Sequence, residues 1–204
     1  EVWEEVYDRL AALVREHRAT ITLATPALYQ LWARRASPED LASVRAAVVG
    51  AQKLPPVLAA AWREKYGRDL LEGYGCTELS PVVAVNVPGE ERPGSVGRPL
   101  PNVEVEVRDR ATGAPCAPGE EGLLFVRGPS VMAGYLDRPD ATSAVLRDGW
   151  YETGDVARLD ADGYLFITDR VSRFTKVAGE MVPHARVEAA LAEALRRLGA
   201  DDVE

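Results

Sequence analysis

The hydrophobic period of this chain changes part-way along. Up to about residue 75, stretches with apolar residues at helical spacing alternate with short continuous apolar runs. Beyond about residue 90, single apolar and charged residues alternate between glycines and prolines. The first pattern belongs to helices laid on a buried sheet and the second to half-exposed strands, so one chain is expected to build two kinds of layer.

In the first half, Val2, Trp3, Val6, Leu10, Leu13 and Val14 fall on one helical face, and the β-branched run from Thr20 to Ala24 reads as a buried strand. Thr25-Pro26 is a cap followed by proline at the first helical position, with Leu28, Leu31 and Trp32 facing inward. Ser37-Pro38-Glu39-Asp40 announces a further helix. Ala46 to Val49 is a second strand ending at Gly50-Ala51. Pro55-Pro56 opens a helix carrying Leu58, Trp62 and Tyr66, and Gly67 stops it. Leu70-Leu71-Glu72 is the third strand. Strands alternating with helices imply a mostly parallel sheet whose ligands gather beyond the carboxyl ends of its strands, and Gly73 to Glu78 lies at such an end.

In the second half, Val103, Val105 and Val107 alternate with charged residues. Asp109 to Gly119 reads as a loop and Leu123 to Val126 as a strand. Asp160-Ala161-Asp162-Gly163 is a tight turn between strands Val156 to Leu159 and Tyr164 to Thr168. A compact antiparallel barrel or sandwich is expected. Pro183 to Leu198 returns to helical spacing, with Val187, Leu191, Leu195 and Leu198 on one face and Gly199 as terminator.

Composition narrows the functions. With 204 residues, 47% of them hydrophobic, one large domain or two smaller ones are both possible. The net charge of -8, from 24 basic and 32 acidic residues, provides no field for a nucleic-acid backbone, and no Lys/Arg stripe with interleaved aromatics appears. Cys76 and Cys116 have no ligand-spaced His or Cys neighbours, which argues against a zinc site or disulfide framework and for a reducing, cytoplasmic setting. No apolar run approaches the roughly 20 residues of a membrane span. The chain opens inside an amphipathic helix, as an internal piece of a longer chain would, and a sheet cut from its neighbours is expected to expose apolar edges and to self-associate.

Two short segments carry chemistry. In Gly73-Tyr74-Gly75-Cys76-Thr77-Glu78, glycines around an aromatic let backbone and ring approach a flat ligand. Tyr74 offers a stacking face, Thr77 a donor and Glu78 a hard oxygen for Mg²⁺. About 80 residues later comes Trp150-Tyr151-Glu152-Thr153-Gly154-Asp155. His17 reads as a helix-end residue, His184 as a first-turn residue and Cys76 as a small packing residue, not as catalytic groups.

These segments, the run Gly122-Leu123-Leu124-Phe125-Val126-Arg127-Gly128 to Gly134-Tyr135-Leu136, and then Asp169-Arg170 and Lys176-Val177-Ala178-Gly179-Glu180, resemble in order and spacing the successive motifs of the adenylate-forming enzyme superfamily. That superfamily includes acyl-CoA synthetases, luciferases and peptide-synthetase adenylation domains. The resemblance implies a fold in three parts: a partial parallel α/β sheet subdomain over 1–90, an antiparallel β-barrel-like subdomain over 91–170, and over 171–204 a hinge and the start of a small α+β C-terminal domain. It also implies roles. Tyr74 would lie against adenine, Thr77 on the α-phosphate and Glu78 toward magnesium, the last two being the catalytic pair. Gly50, Ala51 and Gln52 would border adenine and the acyl group, with Gly73 and Gly75 lining the same nucleotide site. Asp155 would hold both ribose hydroxyls as an ionised carboxylate, and Arg170 would add a cationic contact.

Ser172 stands at the position of the superfamily's hinge, which is typically Asp or Lys, and Ala178-Gly179 would border the thiol tunnel. Gly50-Ala51-Gln52-Lys53-Leu54-Pro55 and Arg173-Phe174-Thr175-Lys176-Val177-Ala178-Gly179-Glu180-Met181-Val182 look like the synthetase part of the bifunctional acyl-[acyl-carrier-protein] synthetases and 2-acylglycerophosphoethanolamine acyltransferases. The implied reaction uses ATP and Mg²⁺ to activate a fatty acid as acyl-AMP, then passes it to a phosphopantetheine thiol of acyl carrier protein or CoA, in a whole protein that can associate with a membrane. An acyl-CoA synthetase and a non-catalytic module that binds AMP or a partner are the alternatives. The Ser/Thr/Gly-rich loop followed by Lys and the late lysine that such enzymes use are not in the sequence, so the chain is expected to be inactive alone.

Overall fold

The computed structural model of the protein describes residues 2–177 and 180–197. Helix α1 (Val2–Glu16) leads to strand β1 (Ile21–Ala24), helix α2 (Pro26–Arg35), strand β2 (Ala46–Val49), helix α3 (Pro56–Tyr66) and strand β3 (Leu70–Gly75). A short 3-10 turn, Thr77–Leu79, then leads to β4 (Val82–Val85) and β5 (Arg98–Pro99). These five strands form one sheet in the order β1-β2-β3-β4-β5. The first two pairings are parallel and the last two antiparallel, so the sheet is mixed where a mostly parallel one was expected. The sequence between β3 and β4 is too short for a helical crossover, which forces the chain to reverse.

One face of this sheet is closed by α2 and α3. Tyr29 and Trp62 are essentially inaccessible, Trp32 nearly so, and Trp62 packs edge-on to Tyr29 at 5.0 Å and tilted on Tyr66 at 4.3 Å between ring centroids. The Tyr66 hydroxyl reaches the carbonyls of Trp32 (2.6 Å) and Ala36 (2.9 Å) at the C-terminal end of α2, where the Trp32 carbonyl also accepts the capping Ala36 N–H. Gly67 ends α3 in the left-handed region at φ 67°, as its position predicts.

Two expectations for this half fail. The first strand is not buried: Ile21 and Leu23 are 65% and 67% exposed, because β1 is an edge strand and nothing among the described residues covers that face. No helix forms at Ser37-Pro38-Glu39-Asp40. The Asp40 carboxylate accepts from the Ser37 backbone N–H (2.9 Å) and hydroxyl (3.0 Å), but successive turns then carry Leu41 and Val44 straight into the core. Thr25 does occupy the N-cap of α2, with Pro26 following as expected, although its side chain makes no capping hydrogen bond.

The second half is an antiparallel half-barrel sheet. Strands β6 (Glu104–Arg108), β7 (Glu121–Arg127), β9 (Trp150–Leu159) and β10 (Leu165–Arg170) run in the order β10-β9-β7-β6. Helix α4 (Pro139–Val145) precedes β8 (Leu146–Arg147), which pairs with β9. The Asp160–Gly163 turn closes as expected, with the Gly163 N–H on the Asp160 carbonyl at 3.0 Å. Leu124, Val126, Ala157 and Leu165 on the inner face pack with Leu79, Val83 and Ala84 of the first sheet's antiparallel end, so the two sheets share a core.

The outer face departs from the sequence reading. Arg108 lies over Phe125 (4.2 Å) and Trp150 (5.0 Å), Arg127 over Trp150 (4.5 Å), and Arg158 over Phe166 (3.7 Å). An arginine–aromatic layer is therefore present that no linear stripe announces, since its members come from four strands. Glu104 and Glu106 form ion pairs with Arg127 and Arg108 within this layer.

Past β10, a 3-10 turn, Val171–Arg173, joins an antiparallel hairpin, β11 (Phe174–Val177) and β12 (Glu180–Pro183), and then α5 (His184–Arg197). Pro183 closes the strand and does not open the helix. On the expected apolar face of α5, Val187 and Leu191 are exposed. Ala178-Gly179, Leu198 and Gly199 lie outside the described residues. No helix among the described residues is long and apolar enough to cross a membrane.

Candidate functional site

The site is built where β3 changes partners. Along Leu70 to Glu72 the strand pairs in parallel with β2, and from Gly73 to Gly75 it pairs antiparallel with β4, with a register shift between Tyr74 and Gly75. A side chain at residue 75 is excluded, because a Cβ there would lie 1.7 Å from the Pro81 carbonyl oxygen. The bulge turns the chain into Thr77–Leu79 and aims Tyr74 toward the second sheet. A Cβ on Gly50, just past β2, would lie 3.9 Å from the Gly73 carbonyl, an ordinary contact, so the ends of β2 and β3 lie side by side with room for a small side chain at 50. Ala51 and Gln52 follow as an exposed bend, with Ala51 at φ 67°.

Residues far apart in sequence meet here. The Tyr74 hydroxyl donates to Asp155 Oδ2 at 2.5 Å across 81 positions, and Arg170 Nε lies 3.5 Å from Asp155 Oδ1. Asp155 and Arg170 are register partners on β9 and β10, which explains the second contact. Asp155 is nearly buried while the Arg170 side chain is 59% exposed. Burial pushes the Asp155 carboxyl up from the ordinary carboxylate range, opposed by the Tyr74 hydroxyl and the Arg170 charge. The sequence reading of a simply ionised carboxylate missed this conflict. Burial, with Asp155 as neighbour, likewise pushes the Tyr74 phenol up, keeping it a donor.

Glu78 behaves oppositely. Its Oε1 accepts the Tyr135 hydroxyl at 2.8 Å, and that bond, helped by backbone donation, holds its carboxyl below the usual range. Arg170 adds its positive charge to Glu78 as well as to Asp155, which ties the two ends of the site together. Thr77 is exposed. The Cys76 thiol is pushed up to about 11 by burial and by Glu78, consistent with a packing role and not a nucleophile.

Three contributors went unrecognised in the sequence. Thr153 is buried in β9, donates to the Leu124 carbonyl at 3.0 Å and accepts the Asp155 N–H at 3.0 Å, fixing the backbone that carries the carboxylate. Its signal was a hydroxyl on the inward phase of the strand, between Tyr151 and Asp155. Tyr151, hydrogen-bonded to the Tyr135 hydroxyl that meets Glu78, and Tyr135 itself stood inside the motif runs without a role assigned to either. A cavity of about 560 Å³ lies between α3 and residues 91–95 with Lys53, Glu72 and Asn86 in its lining, and includes neither Tyr74 nor Asp155.

Comparisons with known proteins agree with this arrangement. Residues 3–136 match the family model described as AMP-binding enzyme. The chain is 35% identical over 184 residues to a long-chain-fatty-acid–CoA ligase of Bacillus subtilis, covering 89% of this chain and 33% of that protein. It is 39% identical over 180 residues to a feruloyl-CoA synthase of an Amycolatopsis species, covering 86% and 36%. Among solved structures, ATP-bound MatB from Rhodopseudomonas palustris superposes with a TM-score of 0.81 at 30% identity, over 91% of this chain and 37% of that one. O-succinylbenzoate coenzyme A synthetase from Bacillus subtilis in complex with AMP gives 0.79 at 29% identity, over 92% and 38%. The chain thus spans about a third of the length of the relatives it matches. With its two-sheet fold, its ordered motifs and the family match over most of its length, the chain belongs to the AMP-binding enzyme family.

Proposed function

We propose that the chain carries the nucleotide-gripping part of an AMP-forming acid–thiol ligase, which activates a carboxylic acid as its acyl-AMP and transfers the acyl group to a thiol. The observation that carries this reading is the convergence of Tyr74, Asp155 and Arg170 from three strands beside the glycine ends of β2 and β3, in a chain of this family. In that role Asp155 takes the ribose hydroxyls, with Thr153 fixing its backbone and Arg170 adding positive charge. Tyr74 borders adenine, together with Gly50, Ala51, Gln52, Gly73 and Gly75, while Thr77 faces the α-phosphate.

Glu78 supplies one hard carboxylate oxygen. Among the described residues no group of three or more His, Cys, Asp or Glu gathers to hold a metal. That donor set fits Mg²⁺ arriving on ATP, which keeps waters and takes one or two carboxylates with the phosphates, and does not fit a resident ion held by protein alone. When bound, the ion would neutralise phosphate charge as pyrophosphate departs.

A fatty or aromatic acid is the substrate class and CoA the acceptor we favour, since the relatives above are named for those substrates. Acyl carrier protein is the second reading, resting on the strings Gly50 to Pro55 and Arg173 to Val182. We divide the chain at 1–90, 91–170 and 171–204, with Ser172, exposed on the turn that joins β10 to β11, as the hinge. A cytoplasmic setting with membrane association of the whole protein, self-association through the bare β1 face, and inactivity of the 204 residues alone complete the proposal.

The test is acid-dependent exchange of pyrophosphate into ATP by the protein that carries this chain. Its absence sinks the ligase reading in favour of a binding module. Weighing the thioester formed with CoA or holo acyl carrier protein separates the acceptors. Calorimetric titration with AMP checks the site directly: Asp155→Ala should abolish measurable heat, and unchanged affinity would remove Asp155 from it.

A further inference from the structure

We infer that Tyr135 is a positioning residue for Glu78, its phenol holding the carboxylate in the orientation that meets the nucleotide-borne cation; the inference rests on the reading of Glu78 given above. Two tethers from one loop land on the same residue. The Met132 N–H donates to the Glu78 carbonyl at 2.8 Å, and the Tyr135 hydroxyl donates to Glu78 Oε1 at 2.8 Å, across 57 positions. The first tether fixes the backbone of a 3-10 turn only three residues long, and the second fixes the side chain that the turn presents.

The loop is itself seated. Thr142 Oγ1, on α4, accepts the Tyr135 N–H at 2.9 Å and donates to the Arg138 carbonyl at 2.9 Å. Gly134 is at φ 148°, and a Cβ there would lie 2.9 Å from Thr142 Cγ2, so the approach of the loop to α4 depends on glycine at this position. Tyr135 is 36% exposed, so its ring is not core filling; its hydroxyl donates to Glu78 and accepts from the Tyr151 hydroxyl, which holds the phenol in place for that donation. A glutamate on a short turn otherwise distributes over several rotamers, and ordering it in advance removes a cost that nucleotide binding would have to meet.

The test compares nucleotide binding with and without divalent cation in the protein that carries this chain, by calorimetry with ATP in excess Mg²⁺ and with ATP in a chelator. Tyr135→Phe, which deletes only the hydroxyl, is expected to weaken the Mg²⁺ complex roughly tenfold, the scale of one hydrogen bond to a charged group, and to leave metal-free ATP affinity within about twofold. Glu78→Gln should remove the gain that Mg²⁺ confers. If Glu78→Gln loses that gain and Tyr135→Phe keeps it, the positioning role is overturned and the reading of Glu78 stands. If Glu78→Gln keeps it, both fall. Equal weakening of metal-free and Mg²⁺-bound ATP in Tyr135→Phe would mark a merely structural tyrosine and also overturn the inference. Thr142→Val, which loosens the seat of the loop without touching the phenol, should shift the same quantity in the same direction by less, and decides the question should Tyr135→Phe not fold.

Discussion

The two sheets treat their outward faces differently. On the first, Ile21 and Leu23 stand about two-thirds exposed with nothing described above them, while the opposite face is sealed by Tyr29, Trp32 and Trp62. On the second, Phe125, Trp150 and Phe166 also point outward, but each lies beneath an arginine whose flat cation covers the ring and whose charge keeps the surface wetted. An outward aromatic under arginine is a finished surface. An outward aliphatic on an edge strand is one that another layer is shaped to cover.

The largest expected effect tests the sealed face. Trp62→Ala should cost about 3–5 kcal/mol in chemical unfolding, from lost burial and the cavity left behind. Trp62→Phe should cost clearly less, because the indole N–H has no hydrogen-bond partner among the described residues and its removal relieves a buried donor. A Phe variant as unstable as the Ala variant would show that this pocket is not governed by its apolar contacts.

The joint between the sheets comes next. Gly75→Ala must push a Cβ into the Pro81 carbonyl, so a loss of roughly 3 kcal/mol or more is expected. Gly154→Ala meets open space and carries only the left-handed penalty at φ 73°, about 1–2 kcal/mol. Equal losses would mean that close approach does not distinguish the two motif glycines.

Asp155 makes the buried side of the second sheet sensitive to pH. Its folded-state pKa is raised above the ordinary 3.8, so the folded chain keeps a proton that the unfolded chain has already lost. Its contribution to stability is therefore present at low pH and declines as pH rises through that window. Asp155→Asn cannot ionise, so its melting temperature relative to the parent should be higher at about pH 7 than at about pH 3. A difference that does not vary with pH would show that burial does not dominate this carboxyl.

The smallest effects belong to the outward faces. Arg158→Ala should cost about 0.5–1 kcal/mol by uncovering Phe166. Leu23→Ser should change stability little but lower self-association measured by sedimentation. A destabilised Leu23→Ser that associates as before would place that face inside the fold.

Much of this was legible in advance where one residue type has one strong local consequence. Pro56 and Gly67 delimit α3, and Asp160–Gly163 closes a hairpin. The ordered motifs named Tyr74, Glu78, Asp155 and Arg170 as candidates, and the fold brings these four near one another. Ser37 to Asp40 misled because a capping pattern signals a helix start but not whether enough chain follows to continue it, and here the core claims Leu41 and Val44 first. The burial of β1 was misjudged because a β-branched run looks the same in the middle of a sheet and at its edge.

By itself, then, the sequence determined most of the segments that become helices, strands and turns, though not the turns at Ser37 to Asp40 or helix α4, and it named the residues whose side chains have the chemistry proposed for gripping a nucleotide, because these follow from backbone preference and side-chain type. Tertiary structure alone decided that β3 switches from parallel to antiparallel pairing at Tyr74 and Gly75, that Asp155 is buried beneath the Tyr74 hydroxyl, and that Tyr135 reaches back to Glu78. Those facts depend on contacts 57 and 81 positions apart in the chain, and no local periodicity encodes which distant polar groups a shared core will bring within hydrogen-bonding reach.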